Sequence, residues 1–166
     1  MSIIGSPEEA RLICEWVVGD ETERWGVPFR AYDKIPPEGW EYVGRGSYRS
    51  VWLSPSKVIY KVNHEYGNCN YREYEKLCWI RSEGRIPLGS RLPKAWLYEP
   101  RDGEYVVAME YVPGVILEEY DGDDQKRISY YDLMLTLERR FELYDMHDQN
   151  VIVDEEGFLV PIDFGE

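Results

Sequence analysis

The chain has 166 residues, of which 43% are hydrophobic, and this length suits one domain or two small lobes that share a cleft. Its 19 basic and 32 acidic residues give a net charge of −13, which argues against nucleic acid or an anionic membrane as a main partner. The three cysteines form no CxxC pair, and we see neither a basic leader nor an apolar run of about 18 residues. These features predict a protein of the reducing cytoplasm.

The N-terminal residues predict a helix that is capped by Ser6 and runs to about Val18, because Pro and two acidic residues follow the cap. A connecting segment rich in Gly, Pro and charged residues is expected over residues 19–40. The apolar face of the helix suggests that it covers surface left bare by a shortened second lobe.

From Trp40 the sequence WEYVGRGSYRSVWLSPSKVIYKV predicts three strands separated by two turns. A helix over NCNYREYEKLCWIRSE follows, and then two strands around KAWLYEP and EYVVAMEYV. Residues 128–143 predict a second amphipathic helix, and residues 151–153 and 158–162 predict a closing hairpin. The order β-β-β-α-β-β, then α, then a hairpin indicates an α+β fold and not a doubly wound sheet.

A glycine-rich turn lies between the first two strands. Glycines let backbone amides approach phosphate oxygens closely, and a lysine on a neighbouring strand can then reach the same phosphates. Lys61 is that lysine, although a strand lysine between apolar neighbours ordinarily faces solvent. The candidate cofactor-binding residues of this region are Gly44, Arg45, Gly46, Ser47, Val51 and Lys61.

Glu73 shares a helical face with Leu77 and Ile80, which predicts that its carboxylate points inward. A buried carboxylate needs a cationic partner, and Lys61 is the candidate. Glu75 is the alternative partner of Lys61, although it lies on a different face of the helix.

The C-terminal sequence places a carboxylate, a carboxamide and a second carboxylate in a suggestive order. Asp145 can receive the proton of an acceptor hydroxyl, while Asn150 and Asp163 can supply oxygen ligands to Mg²⁺. Each motif alone has an ordinary explanation as a turn or a strand start. Their order and spacing together favour phosphoryl transfer.

The ordered set GRGSYRSV, the Lys61 strand, Glu73, MEYVPG, DMHDQN and IDFG resembles the protein-kinase-like fold, which includes protein kinases and aminoglycoside-type phosphotransferases. The resemblance covers residues 40–166 and implies ATP and Mg²⁺ as cofactors. It implies catalytic roles for Asp145, Lys61 and Glu73, and metal binding by Asn150 and Asp163. The hinge that meets the nucleotide base would comprise Met109, Glu110, Tyr111 and Val112.

The resemblance also implies a domain organisation: an N-terminal helix and connecting segment over residues 1–39, an antiparallel N-lobe with one main helix over residues 40–112, and a minimal C-lobe over residues 113–166. The sequence departs from the family pattern at Leu143 and Tyr144, where a His-Arg or His-Gly pair is usual. It ends one residue after the DFG motif, as expected of compact kinase-like proteins encoded by bacteriophages, whose setting would be the host cytoplasm.

Three functions are compatible with these motifs. The first is a minimal kinase that transfers the γ-phosphate of ATP to a hydroxyl of a protein or a small molecule. The second is a non-catalytic nucleotide-binding module that binds or inhibits a partner protein. The third is a catalytic half that is completed by another chain or by self-association. Whether the chain is an enzyme stays open at the level of sequence.

Overall fold

A computed structural model describes residues 2–19, 35–64 and 67–164. The chain divides into two compact units, one comprising Met1–Tyr71 with Lys94–Tyr111 and the other Arg72–Pro93 with Val112–Glu166. Most of the connecting segment predicted over residues 19–40, and the final glycine of the DFG motif, lie outside the described residues. In the part that is described, no helix has the length and apolar character needed to cross a membrane.

The first unit contains a five-stranded antiparallel sheet with the strand order β1-β2-β3-β5-β4. Each strand lies where the sequence predicts one, and tight turns join β1 to β2, β2 to β3 and β4 to β5. The predicted α+β class is therefore confirmed. The strands are β1 Glu41–Arg45, β2 Arg49–Leu53, β3 Val58–Asn63, β4 Ala95–Arg101 and β5 Glu104–Glu110.

The N-terminal helix α1, Pro7–Val18, begins at the predicted cap, where the Ser6 hydroxyl accepts a hydrogen bond from the Glu9 amide at 3.1 Å. Its buried face packs on one face of the sheet, in a cluster that includes Ile13, Val17, Trp52, Tyr60 and Ala108. The apolar face therefore packs on the sheet of its own unit, and the hypothesis that it covers surface left bare by a shortened second lobe stays a prediction.

Tyr60 fixes the start of α1 on the sheet. Its hydroxyl accepts a hydrogen bond from the Ser6 amide at 3.0 Å and donates one to the Glu9 carboxylate at 2.7 Å. Burial, together with the hydrogen bond to Glu9, raises the pKa of the Tyr60 phenol well above its usual range. The phenol therefore stays protonated as a donor, and a single side chain satisfies two polar groups of the helix start.

The second unit is built from two helices and a three-stranded sheet. Helix α2 spans Cys69–Glu83, so the boundary between the units falls inside its first turn, and helix α3 spans Gln125–Phe141. Helix α3 begins three residues before its predicted start, and it ends earlier because Glu142 adopts a left-handed conformation with φ 54°. Trp79 of α2 meets Phe141 of α3 edge to face, with ring centroids 5.1 Å apart.

The sheet of the second unit has the order β6-β7-β8, with β6 Gly114–Ile116, β7 Val151–Asp154 and β8 Leu159–Pro161. The predicted hairpin forms β7 and β8, whereas β6 was not predicted. A Cβ atom at Gly114 would collide with the carbonyl oxygen of Val153, so this strand pairing needs a glycine there.

The turn between β7 and β8 is held by Asp154. Its carboxylate accepts hydrogen bonds from the amides of Glu156 and Phe158 and forms an ion pair with Arg91 Nε at 2.8 Å. Burial opposes the ionisation of Asp154, but the hydrogen bonds from Arg91 and the two amides outweigh it and lower the pKa of the carboxyl group. The hairpin that leads to Asp163 is therefore fixed by a charged group.

Candidate functional site

The glycine-rich turn connects β1 to β2, where the Gly46 amide donates to the Arg49 carbonyl at 2.9 Å. A Cβ added at Gly44 would meet nothing within 4 Å, and one at Gly46 would meet only the Arg49 carbonyl at 3.9 Å. Neither glycine has a positive φ. The described structure therefore gives no steric or conformational reason for either glycine, and Arg45, Gly46 and Ser47 are exposed.

Lys61 lies on β3, in the middle of the sheet. It pairs with Val51 on one neighbouring strand and with Val107 on the other. Ile59, two residues before Lys61 on the same strand, pairs with Met109. Directly paired residues share a face of a sheet, so the predicted ligand-binding residues Val51, Lys61 and Met109 lie on one face. Lys61 is only 5% exposed, which overturns the ordinary expectation that a strand lysine faces solvent.

The predicted hinge comprises the last two residues of β5, Met109 and Glu110, and the next two, Tyr111 and Val112. The Glu110 amide donates to the carbonyl of Lys94 at 2.9 Å, Tyr111 is exposed, and Val112 is buried as the first residue of the returning second unit. The Glu110 amide is thus already engaged by the fold. Contact of these residues with a nucleotide base stays a prediction.

Glu73 is fully buried on α2, and its carboxylate accepts a hydrogen bond from the backbone amide of Phe164 at 3.1 Å. Glu75, the alternative, is exposed. The predicted inward face is therefore confirmed, because Leu77 and Ile80 are also fully buried. The pairing of Glu73 with Lys61 stays a prediction.

Asp145 lies in the loop after α3, and its side chain is exposed. Among the described residues, its carboxylate makes no hydrogen bond or ion pair. The Asn150 carboxamide donates to the Asp145 backbone carbonyl at 3.5 Å and contacts His147 Nε2 at 3.0 Å. A short 3-10 turn, Asp148–Asn150, brings the carboxamide back to the loop. The structure therefore places Asp145 and Asn150 together.

Asp163 follows a residue that is bonded to the same turn. The Ile162 amide donates to the Asn150 carbonyl at 2.9 Å, and Asp163 is the next residue along the chain. Mg²⁺ is commonly held by one or two protein oxygens together with phosphate oxygens, and a carboxamide and a carboxylate at adjoining positions fit that requirement. No cluster of three or more His, Cys, Asp or Glu suited to a metal occurs in the described ranges.

Two neighbouring contacts were not predicted as part of the site. His147 contacts Asn150, and Gln149 donates to the Glu118 carboxylate at 3.0 Å, which ties the turn to a 3-10 segment, Leu117–Glu119. The histidine belongs to the DMHDQN motif, three residues before Asn150, and this spacing is the local signal for the contact. The Gln149–Glu118 contact has no local sequence signal, because the two residues are 31 positions apart.

A separate cavity of about 440 Å³ lies in the second unit, along α3. It contains none of the predicted site residues. The exposed side chains of Ile128, Tyr131 and Leu135 form an apolar stripe on the same helix. The cavity is lined by Pro87, Asp132, Leu135, Thr136, Arg139 and Arg140.

No family model matches the sequence, and no curated protein matches it. Among solved structures, the chain is similar to that of the GDP and kanamycin complex of APH(2″)-IIia, with 16% sequence identity and a TM-score of 0.47. The match covers 66% of this chain and 39% of the other, so the chain spans about two fifths of that protein's length.

Proposed function

We propose that this protein is a minimal kinase-like phosphotransferase, which binds ATP with Mg²⁺ and transfers the γ-phosphoryl group to a hydroxyl acceptor. The observation that carries the proposal is the linkage of Asp145, Asn150 and Asp163. Asn150 bonds through its side chain to the backbone of Asp145 and through its own carbonyl to Ile162, the residue before Asp163. The turn that ends at Asn150 thereby connects the loop that carries Asp145 with the residue that precedes Asp163.

Each group has a role that suits its surroundings. The exposed Asp145 carboxylate, which no described residue engages, orients the acceptor hydroxyl and receives its proton as the new P–O bond forms. Asn150 and Asp163 hold Mg²⁺ through oxygen. When bound, the ion neutralises charge on the phosphate oxygens. Phosphoryl transfer depends mostly on such positioning and charge stabilisation, so few side chains suffice.

The first unit supports the same proposal. Lys61 is a nearly buried cation on a sheet face it shares with Val51 and Met109, a combination suited to an apolar base with charged phosphates. The described structure gives no steric reason for a glycine at position 44 or 46. Close approach of a phosphate group to the backbone would explain why a side chain is absent there. We therefore assign binding of the nucleotide phosphates to the β1–β2 turn.

The test uses purified protein, Mg²⁺ and γ-labelled ATP, with and without a cell lysate that supplies acceptors. Asp145→Ala and Asp163→Ala are each expected to lower label transfer by about a hundredfold or more, in the range typical of lost general-base or charge-stabilising groups. Asp102→Ala is the matched control, because Asp102 is exposed in the β4–β5 turn. Equal transfer by all four proteins would refute a catalytic role for these carboxylates.

Nucleotide binding is measured separately by thermal stabilisation, since a ligand that binds only the folded state raises the unfolding temperature. Stabilisation by ATP and Mg²⁺ without label transfer would favour the alternative, a nucleotide-binding module that acts on a partner protein. Absence of stabilisation would reject both functions. Lys61→Ala is expected to weaken the stabilisation, whereas Lys57→Ala, an exposed lysine in the β2–β3 turn, should not.

A further inference from the structure

His147 contacts Asn150 twice. Its backbone carbonyl accepts a hydrogen bond from the Asn150 amide at 2.9 Å, and its Nε2 lies 3.0 Å from the Asn150 carboxamide nitrogen. The first contact closes the 3-10 turn, and the second involves the side-chain carboxamide.

The direction of the second hydrogen bond follows from the neighbouring contact. The Asp145 backbone carbonyl can only accept, so the Asn150 atom that points to it at 3.5 Å is the nitrogen Nδ2. The same Nδ2 then donates to His147 Nε2, which must be the unprotonated ring nitrogen. A neutral His147 therefore carries its proton on Nδ1.

This arrangement leaves the other end of the carboxamide directed away from both partners. Within the described ranges, the Asn150 Oδ1 atom accepts no hydrogen bond. Rotation about the last bond of an asparagine side chain is broad and nearly two-fold, so an unrestrained carboxamide would often present its NH₂ group instead. An NH₂ group cannot bind a cation.

We propose that His147 is a positioning residue, which accepts a hydrogen bond from Asn150 and so presents Oδ1 to the divalent cation of the bound nucleotide. The inference rests on the proposed function, and it assigns to His147 a role in metal affinity rather than in proton transfer. Residues that orient a metal ligand contribute about 10- to 100-fold to metal affinity.

The first experiment tests the tautomer without any ligand. The protein contains two histidines, so His64→Gln assigns the imidazole signals of His147 in a ¹⁵N–¹H NMR spectrum. At a pH where the ring is neutral, its proton is expected on Nδ1. A ring protonated mainly on Nε2 would overturn the proposal, whatever the protein does with nucleotides.

The second experiment measures Mn²⁺ binding by electron paramagnetic resonance, in the presence of a non-hydrolysable ATP analogue. His147→Ala is expected to weaken Mn²⁺ binding about tenfold, and His147→Gln, which keeps an acceptor, should recover part of the loss. The metal-free affinity for the analogue should not change.

Asn150→Ala separates the inference from the proposed function. If it weakens Mn²⁺ binding while His147→Ala does not, the proposed metal site stands and the role of His147 is rejected. If neither variant affects Mn²⁺ binding although the analogue binds, Asn150 is not a metal ligand and both proposals fail at this residue. The unfolding temperature of each variant shows whether the fold is intact.

Discussion

The Glu73 carboxylate accepts a hydrogen bond from the Phe164 amide at 3.1 Å, between residues 91 positions apart in the sequence. Both partners are almost fully buried. A single contact thereby ties helix α2 to the residue that follows Asp163. A second contact acts three residues further along the helix, where Lys76 donates to the Glu142 carbonyl at the end of α3. Helix α2 is thus bonded to the segments that precede Asp145 and follow Asp163.

Glu73→Ala is expected to destabilise the protein by about 1–3 kcal/mol, because it leaves a buried amide without its acceptor. Glu75→Ala is the matched control, since Glu75 is exposed on the same helix, and it should change stability by less than about 0.5 kcal/mol. Urea denaturation measures both. Similar losses in the two variants would show that the Phe164 contact contributes little.

The packing of α1 on the sheet predicts a contrast between neighbouring residues. Ile13 is fully buried, whereas Leu12 is 44% exposed. Ile13→Ala is expected to destabilise the protein by about 2–5 kcal/mol through lost burial and a residual cavity, and Leu12→Ala by well under half as much. The midpoint temperatures of thermal unfolding of the two variants measure the difference. A larger loss for Leu12→Ala would mean that α1 packs through another face.

Tyr60→Phe removes the acceptor of the Ser6 amide and the donor to Glu9, so we expect a loss of about 1–3 kcal/mol at neutral pH. Tyr131→Phe, at an exposed tyrosine of α3, should have almost no effect.

Alkaline pH provides a further test of Tyr60. Burial raises its folded pKa above the ordinary value of 10.0, so its contribution is fully present below that value and is lost as pH rises above it. The stability difference between Tyr60→Phe and the unaltered protein should therefore shrink above about pH 10. A constant difference up to pH 11 would contradict the assigned cause.

Asp154→Asn keeps an oxygen for the amides of Glu156 and Phe158 but removes the ion pair with Arg91. The folded pKa of Asp154 is lowered, so its contribution is present above the ordinary value of 3.8 and is lost as pH falls below it. We expect the variant to be less stable at neutral pH and the difference to fade towards pH 3. Asp102→Asn should be neutral throughout, and a difference that grew in acid would refute the argument.

Local signals predicted much of this fold. Ser6 was identified as a cap because serine, proline and two acidic residues together satisfy the requirements of a helix start. The inward position of Glu73 followed from its spacing to Leu77 and Ile80, which is a property of helix geometry alone. The strands that tight turns join followed from turn residues between short runs of β-forming residues.

Long-range features could not be predicted in this way. The apolar face of α1 indicated that the helix packs against another part of the protein, but it did not indicate which surface it covers. Strand β6 was missed because Gly114–Ile116 is only three residues long and pairs with a strand far along the chain. The burial of Lys61 depends on what surrounds the sheet, and alternation along β3 only separates its two faces.

The boundaries of the two units have a consequence for dissecting the protein. The chain passes from one unit to the other after Tyr71, Pro93 and Tyr111, and the first of these passages falls within a continuous helix. Neither unit is therefore a contiguous stretch of sequence, and no single recombination point could transfer either one intact to another protein. Libraries of fragments or chimeras should exchange Arg72–Pro93 together with the C-terminal residues, since a piece that ends at Tyr111 would carry this segment without the rest of its unit.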